Sequence, residues 1–147
     1  MKISTKIRYG TRAMLELASH YGEGPIELRE IAERENISLK YLEQLIVPLR
    51  TAGLVKSARG SKGGYALAKH PSQIYLKDLV ETLEGRLNLI ECLNDPRTCQ
   101  RAPYCVTRDI WKEISNAIDG ILCSLTLEEM VRRKGEKELQ SASMYQI

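Results

Sequence analysis

The sequence predicts a mainly α-helical protein with a small β-hairpin wing, namely a winged helix-turn-helix followed by a long dimerisation helix. Three observations predict this fold class. Three short amphipathic segments precede residue 53, two β-prone runs joined by a glycine-rich turn follow them, and residues 107 to 125 carry one long apolar stripe. Three helices followed by a hairpin are the order of elements in winged helix-turn-helix domains.

The first helix is predicted from an apolar stripe that begins at Ile7 and recurs at helical spacing as far as Tyr21. The glycines and the proline of residues 22 to 25 end this helix. The segment IELREIAEREN then predicts a short second helix, with Asn36 as its C-terminal break.

Ser38 is a favourable N-cap for a third helix that Gly53 closes. Pro48 lies inside this helix and removes one backbone hydrogen bond, so we expect a bend in the last turn rather than a break. The apolar residues of the helix share one side: Leu39, Leu42, Leu45, Ile46 and Leu49.

The segment LVKSARGSKGGYALA predicts the hairpin, because β-prone runs at 54–58 and 65–68 flank a turn that holds three glycines. A fourth helix is expected around Leu76 to Leu83, ending at Gly85. A loop with three cysteines follows it.

A long helix is predicted from Thr107 to Leu125, and its apolar stripe is wider than packing within one thin domain needs. The simplest interpretation is a dimer seam, although packing within one chain stays open. Thr126 with Glu129 three residues later is a capping-box signature that opens a final helix. The tail from Gly135 is expected to be loosely ordered.

Composition limits the class of protein. The chain has 147 residues, of which 43% are apolar and 28% charged, and it has no run of 18 apolar residues, so we expect neither disorder nor a membrane span. The charged start MKISTKIRYGTRAM lacks the apolar segment of a secretory signal, so we expect a cytoplasmic protein. Residues 1–70 carry 12 Lys or Arg against 7 Asp or Glu, which suits a polyanionic partner.

The third helix presents residue types that read DNA bases. Its exposed face is predicted to carry Lys40, Tyr41, Gln44 and Arg50, and a glutamine can pair with both edge groups of adenine. Glu43 also falls on this face, although a carboxylate repels phosphates. It could accept a hydrogen bond from a cytosine amino group, discriminate between sites, or point away. The pattern therefore predicts that this helix enters a DNA groove.

The hairpin turn places Arg59 and Lys62 among glycines. A narrow minor groove attracts arginine, and glycine lets the backbone approach a phosphate closely. The turn therefore favours DNA binding, with the hairpin along the DNA backbone or the minor groove.

Three of the four cysteines lie in fourteen residues, with the spacing Cys92, six residues, Cys99, five residues, Cys105. Structural zinc usually uses closely paired cysteines, and neither pairing nor a nearby histidine occurs here. Wider spacing on a proline-broken loop favours an iron-sulfur cluster. Zinc, and packing or thiol redox chemistry, stay open.

A fourth ligand is not evident from these residues. Cys123 lies in the apolar run ILCSL, so we expect a buried small hydrophobic side chain rather than a ligand. Arg108 stays protonated and cannot ligate. Asp109 shares the face of Cys105 and could supply an oxygen, as could a partner subunit.

The segments MKISTKIRYGTRAML, ISLKYLEQLIVPLRTAGLVKSARGSKGGYALA and the three cysteines before TRDIW resemble the IscR-type family of bacterial iron-sulfur-dependent transcription regulators. The resemblance covers about residues 1 to 130. It implies a homodimer that binds palindromic double-stranded operator DNA. Which operators it binds would depend on whether the cluster is present. The residues that it implies are Cys92, Cys99 and Cys105 as ligands of a cluster, expected to be 2Fe-2S rather than 4Fe-4S, Lys40, Tyr41 and Gln44 as base readers, and Arg59 as the minor-groove contact.

The sequence departs from the cluster-biogenesis member of the family at one position, and it also lacks an evident acidic ligand near the N-terminus. Arg108 stands where the cluster-biogenesis member has a histidine, and Arg8 occupies the region of the acidic ligand found in some nitric-oxide-sensing relatives.

The chain is expected to divide into three parts. We expect DNA binding over residues 1–70, cluster binding and dimerisation over 71–134, and a loosely ordered tail over 135–147.

The predicted function is transcription regulation by a protein that senses iron-sulfur cluster status and controls cluster-assembly genes. We expect no enzymatic activity, no small-molecule substrate and no membrane partner. The alternatives are a related DNA-binding regulator that uses the cysteines for nitric oxide sensing, thiol redox or zinc, and a cluster-bearing electron carrier. No nucleophile and base constellation is visible in the sequence, which argues against an enzyme.

Overall fold

The computed structural model describes residues 1 to 146 and confirms the predicted fold class, with helices predominating and one antiparallel hairpin among these residues. Short 3-10 turns lie at Pro71–Gln73, Pro96–Thr98 and Ala102–Tyr104. The helices and strands are α1 Thr5–Ser19, α2 Leu28–Glu35, α3 Leu39–Thr51, β1 Val55–Ala58, β2 Gly64–Leu67, α4 Leu76–Glu84, α5 Glu91–Asn94, α6 Val106–Ser124 and α7 Leu127–Met144.

The predicted ends of α2 and α3 are confirmed. Asn36 follows α2 in the left-handed conformation, at φ 52°, and stops the helix. The Ser38 hydroxyl accepts a hydrogen bond from the backbone N–H of Tyr41 at 3.0 Å and caps α3. Pro48 lies inside α3, which continues past it to Thr51.

The hairpin is anchored to the chain that precedes α2. Val55 pairs with Leu67 and Ala58 with Gly64. Tyr65 of β2 also exchanges two backbone hydrogen bonds with Ile26, each 2.8 Å long. A Cβ on Gly64 would collide with the carbonyl oxygen of Ile26, so this close approach requires glycine.

One hydrophobic core joins the two ends of the chain. Its largest fully buried side chains come from α1, α2, α3, the residue after the 3-10 turn Pro71–Gln73, α4 and α7. These residues are Met14, Ile31, Leu42, Leu49, Ile74, Leu79 and Leu127. Because Leu127 is fully buried among them, the start of α7 packs with the N-terminal helices.

The corner between α6 and α7 is held by backbone hydrogen bonds on both sides of Tyr75. Leu76 donates to the Leu125 carbonyl at 2.8 Å, and Leu127 donates to the Ile74 carbonyl at 2.9 Å. Helix α6 itself has no buried residue in the single chain, and it packs mainly against α4 and α5 through part of its surface. Its remaining surface faces solvent.

Two expectations for the C-terminal half are corrected. Helix α7 runs to Met144, so residues 135 to 144 are helical where a loosely ordered tail was expected. Strong helix formers and the ion pairs of Arg132 with Glu129 and Glu136 support this helix. Residue 147 lies outside the described residues. The Thr126 hydroxyl caps α7 by accepting from the Glu129 N–H at 3.1 Å.

Cys123 is exposed in the single chain, so the expectation that it is buried is wrong for the monomer. The apolar run around it lies on α6, which leaves much of its surface without a partner in one chain. Across residues 1 to 146, none of the helices combines the length and apolar character needed to cross a bilayer.

Candidate nucleic-acid interface and cysteine segment

The exposed face of α3 carries the predicted base-reading residues. Lys40 and Gln44 are exposed, and Tyr41 is half-buried beside them. The spacing of these residues places them on one side of the helix, opposite the buried leucines. Glu43 is exposed as well, so a carboxylate that would repel DNA phosphates lies near this surface, as the sequence predicted.

Tyr41 packs against an aromatic ring from α1 that the sequence analysis did not single out. The rings of Tyr9 and Tyr41 lie 5.9 Å apart between centroids, at an angle of 83°. The guanidinium of Arg12 sits 5.6 Å from the centre of the Tyr9 ring, and its Nε donates to the Glu35 carboxylate at 2.9 Å. The exposed face of α3 is therefore supported by α1.

Arg59 lies in the exposed turn between β1 and β2. Gly60 follows it with φ 108°, and the turn closes through a 3.0 Å hydrogen bond from the Gly63 N–H to the Gly60 carbonyl. Helix α3 leads into β1 through a hydrogen bond from Leu54 to the Leu49 carbonyl at 3.0 Å. The predicted wing residue therefore projects from the same packed unit as α3.

The three predicted ligand cysteines occupy three positions of one segment. Cys92 lies on α5, Cys99 directly follows the 3-10 turn Pro96–Thr98, and Cys105 is the N-cap residue of α6. Cys99 is exposed, Cys92 and Cys105 are half-buried, and all three are free thiols. A 3-10 turn that begins at Pro96 and another that contains Pro103 lie between them.

The environment of Cys105 favours the thiolate. Its Sγ lies 3.2 Å from the hydroxyl of Thr107. This hydrogen bond, followed by hydrogen bonds from the backbone N–H groups of Arg108 and Thr107, lowers the pKa of the Cys105 thiol. The N-terminus of α6 therefore stabilises a negatively charged sulfur.

Arg108 tethers the cysteine segment to α6. Its Nε donates to the carbonyl oxygen of Cys92 at 3.1 Å, sixteen residues away along the chain. The same side chain lines, with Cys99, a cavity of about 420 Å³. At the position where the resemblance implies a histidine, the chain thus has a structural hydrogen-bond donor.

The chemistry of the segment fits an iron-sulfur cluster in part. Three reduced thiols on one short segment are the donors that such clusters use, and one of them is held toward its ionised form. Within residues 1 to 146, no three His, Cys, Asp or Glu side chains are already gathered as a metal site. Asp109 is exposed on α6, one turn after Cys105.

Sequence reasoning also missed a buried charge. Glu16 is only 5% exposed, although it lies on α1 among apolar residues. Its carboxylate accepts hydrogen bonds from Arg34 at 2.8 Å and from Lys134 at 3.3 Å. Spacing along α1 places Glu16 opposite the predicted apolar stripe, so neither its burial nor its partners on α2 and α7 could be read from the sequence pattern.

Comparisons with known proteins identify similar chains. A family model described as Rrf2, iron-dependent transcriptional regulator, matches residues 3–133. IscR from Photorhabdus laumondii is 40% identical over 134 residues, which cover 91% of this chain and 81% of that protein.

Solved structures agree with these sequence matches. CymR from Bacillus subtilis, described as the global cysteine regulator, superimposes with a TM-score of 0.79 at 45% identity, over 90% of this chain and 98% of that one. IscR from T. potens superimposes with a TM-score of 0.77 at 43% identity, over 93% of this chain and 90% of that one.

Proposed function

The chain belongs to the Rrf2 family of transcriptional regulators, and from that premise we propose a homodimer that binds palindromic operator DNA and senses iron-sulfur cluster status through three cysteines. One observation carries the proposal. A segment with three free thiols leads directly into α6, a long helix with a row of apolar side chains that are exposed in the single chain. We infer regulation of cluster-assembly genes rather than catalysis.

The DNA-reading part of the proposal assigns α3 to the major groove. Gln44 is exposed and suited to pair with the N6 and N7 groups of adenine. Lys40 and Tyr41 flank it on the same face. Arg59, in the exposed turn of the hairpin, is suited to a narrow minor groove with strong negative potential.

The dimer part of the proposal rests on α6. Five apolar side chains of this helix are between 42% and 71% exposed in the single chain. A row of this kind on one long helix is expected at an interface between subunits. The five residues are Val106, Ile110, Trp111, Ile114 and Ile121. A two-fold dimer would place two α3 helices on half-sites about one turn of DNA apart, roughly 34 Å.

The sensing part of the proposal assigns Cys92, Cys99 and Cys105 as ligands, with a 2Fe-2S cluster favoured. When bound, such a cluster supplies a centre that responds to oxygen, nitric oxide and the supply of iron and sulfide. Arg108 links the Cys92 carbonyl to α6, and Cys105 caps that helix. These two contacts would pass a rearrangement of the cysteine segment to the proposed dimer helix.

The test is anaerobic purification with iron and sulfide supplied, followed by iron and sulfide analysis and visible absorption spectroscopy. We expect a brown protein whose absorption is lost in air and in Cys92→Ala. Cys123→Ala is the matched control, because Cys123 is an exposed cysteine outside the proposed ligand set, and it should keep the colour. A colourless protein with bound zinc, or with reversibly oxidised thiols, would contradict the cluster.

DNA binding is tested on the same preparations. A duplex enriched by the protein from a randomised library should be bound in preference to a scrambled duplex, with an affinity that falls as salt rises. Cluster-loaded and cluster-free protein should prefer different enriched duplexes. Electron transfer by the loaded protein without salt-dependent duplex binding would instead favour an electron carrier.

A further inference from the structure

A continuous chain of side-chain contacts connects the end of α2 to the exposed face of α3. It runs from Glu35 to Arg12, from Arg12 to Tyr9, and from Tyr9 to Tyr41. Two of its members, Arg12 and Tyr9, belong to α1, which carries none of the base-reading residues proposed above. Their position therefore calls for an explanation other than direct base contact.

Arg12 donates hydrogen bonds to the residue that precedes the turn between α2 and α3. Its Nε donates to the Glu35 carboxylate at 2.9 Å, and a second guanidinium N–H donates to the Glu35 backbone carbonyl. Glu35 is the last residue of α2, and the left-handed Asn36 follows it. This bidentate contact fixes the guanidinium plane relative to the turn that sets the direction of α3.

The fixed guanidinium in turn holds Tyr9. The ring of Tyr9 has the Arg12 guanidinium at 5.6 Å from its centroid and the Arg8 guanidinium at 5.9 Å. Cations at these distances from an aromatic ring are attracted by its π electrons. Tyr9 is half-buried, so these contacts are partly shielded from water.

Tyr9 restricts the ring of Tyr41. The two rings meet nearly perpendicular, at 83° and 5.9 Å, which is a favourable aromatic arrangement. A cavity of about 360 Å³ borders both rings and is lined also by Thr5, Asn36 and Ser38. Without the Tyr9 ring, Tyr41 would have open space to turn into, because its side chain is half-buried at the edge of the domain.

We propose that Tyr9 and Arg12 are positioning residues for base reading, which hold the Tyr41 ring in one orientation on the exposed face of α3. This inference rests on the proposed role of α3 in the major groove. Tyr9 and Arg12 act through Tyr41 and determine specificity without touching a base. Preorganising a side chain in its bound orientation removes part of the entropic cost of binding.

A direct phosphate contact by Arg12 would give a different signature. Losing a phosphate contact weakens binding to every sequence and reduces the slope of affinity against salt. Losing a positioning residue lowers the ratio of affinities for the preferred and the scrambled duplex and leaves the salt slope unchanged. The effect should also vanish once Tyr41 has been removed.

The experiment measures this ratio with a duplex enriched by the wild-type protein from a randomised library and a scrambled duplex of equal composition. Tyr9→Leu should lower the ratio by about 3- to 10-fold, the range expected for a lost aromatic pair. Tyr9→Phe keeps the ring and should stay within about 2-fold of wild type. Arg12→Gln should lower the ratio in the same direction and carries the test if Tyr9→Leu fails to fold.

Tyr21→Leu is the matched control. It removes a similar aromatic contact, with His70 at 5.2 Å and 79°, just beyond the C-terminal end of α1, and it should leave the ratio unchanged. In a Tyr41→Ala background, Tyr9→Leu should cause no further loss. Three results would overturn this inference and leave the proposed function standing. They are an equal loss in the Tyr41→Ala background, a reduced slope of affinity against salt in Tyr9→Leu or Arg12→Gln, and an unchanged affinity ratio in both of these variants. Wild-type protein without sequence preference would overturn the proposed function and this inference together.

Discussion

The carboxylate of Glu16 on α1 lies 3.3 Å from the ammonium nitrogen of Lys134 on α7, although 118 positions separate the two residues. The same carboxylate lies 2.8 Å from Arg34 of α2 and 3.2 Å from the Nε2 atom of His20. Lys134 is the first residue after the family match, which ends at 133. An ionic contact therefore ties the extended C-terminal helix to α1 and α2.

Glu16→Gln should lower the free energy of unfolding at pH 7 by about 1 to 3 kcal/mol, because it weakens two charge-assisted hydrogen bonds of a buried group. Chemical denaturation measures this change. Glu136→Gln is the control: Glu136 pairs with Arg132 at the surface, 57% exposed, and its loss should cost less than about 1 kcal/mol. Equal losses of unfolding free energy in the two variants would show that the buried contact stabilises the fold no more than the surface ion pair does.

The stability difference between wild type and Glu16→Gln should narrow in acid. Burial by itself raises the pKa of Glu16, but the hydrogen bonds from Arg34 and Lys134 outweigh it, and the pKa lies below the ordinary 4.5. A lowered folded-state pKa stabilises the protein above the unfolded-state value, and this contribution is lost as the pH falls through the folded-state pKa. Denaturation between pH 7 and pH 3 measures the difference, and a gap that widens in acid would contradict this sign.

Gln44→Ala should relax sequence preference, because it removes a side chain suited to a bidentate contact with adenine. We expect a loss of about 1 to 3 kcal/mol on the enriched duplex and little change on a scrambled one. Fluorescence anisotropy titrations at fixed salt measure both. A loss of equal size on both duplexes would remove Gln44 from base reading.

Arg59→Ala should weaken binding most on duplexes whose minor groove under the wing is A·T-rich and narrow, because arginine is attracted to the enhanced negative potential there. Lys62→Ala, in the same exposed turn, is the control and should weaken all duplexes alike. A set of duplexes that differ only at these base pairs provides the measurement. A uniform response to Arg59→Ala would exclude the wing from the readout.

Ile114→Glu should convert the proposed dimer to a monomer, because Ile114 lies in the exposed apolar row of α6 and a carboxylate in a seam there would be buried without a partner. Asn116→Glu adds the same charge at an exposed polar position of the same helix and should leave the dimer intact. Sedimentation equilibrium determines the mass of each variant. A monomeric wild type would contradict the proposed dimer, and a dimeric Ile114→Glu would place the seam elsewhere.

Gly135→Ala should stabilise the protein by about 0.5 to 1 kcal/mol, because Gly135 lies inside α7 and a Cβ there meets no atom within 4 Å. Gly64→Ala should destabilise it, because its Cβ would strike the Ile26 carbonyl that anchors the hairpin. Thermal unfolding measures both variants. No gain in Gly135→Ala would mean that residues 135 to 144 are not helical in solution.

Local patterns in the sequence were sufficient for most of the fold. Ser38 as a cap, Asn36 as a break and glycines in the hairpin turn act on their immediate neighbours, so their effects can be predicted without a tertiary structure. The prediction that Lys40 and Gln44 lie on the exposed face of α3 is also confirmed, since both side chains reach solvent. The roles of these residues, those of the three cysteines, and the domain boundary at residue 70 stay predictions.

The amino-acid sequence by itself determined most of the helices and the hairpin, because capping, turn formation and amphipathic spacing operate over a few residues, and its motifs indicated the family. Only the tertiary structure decided the contacts of Glu16 with Lys134, of Arg12 with the α2–α3 turn, and of Tyr9 with Tyr41. It also decided that Cys123 is exposed in the single chain. These contacts join residues far apart in the chain, and packing of whole helices, rather than local spacing, brings such residues together.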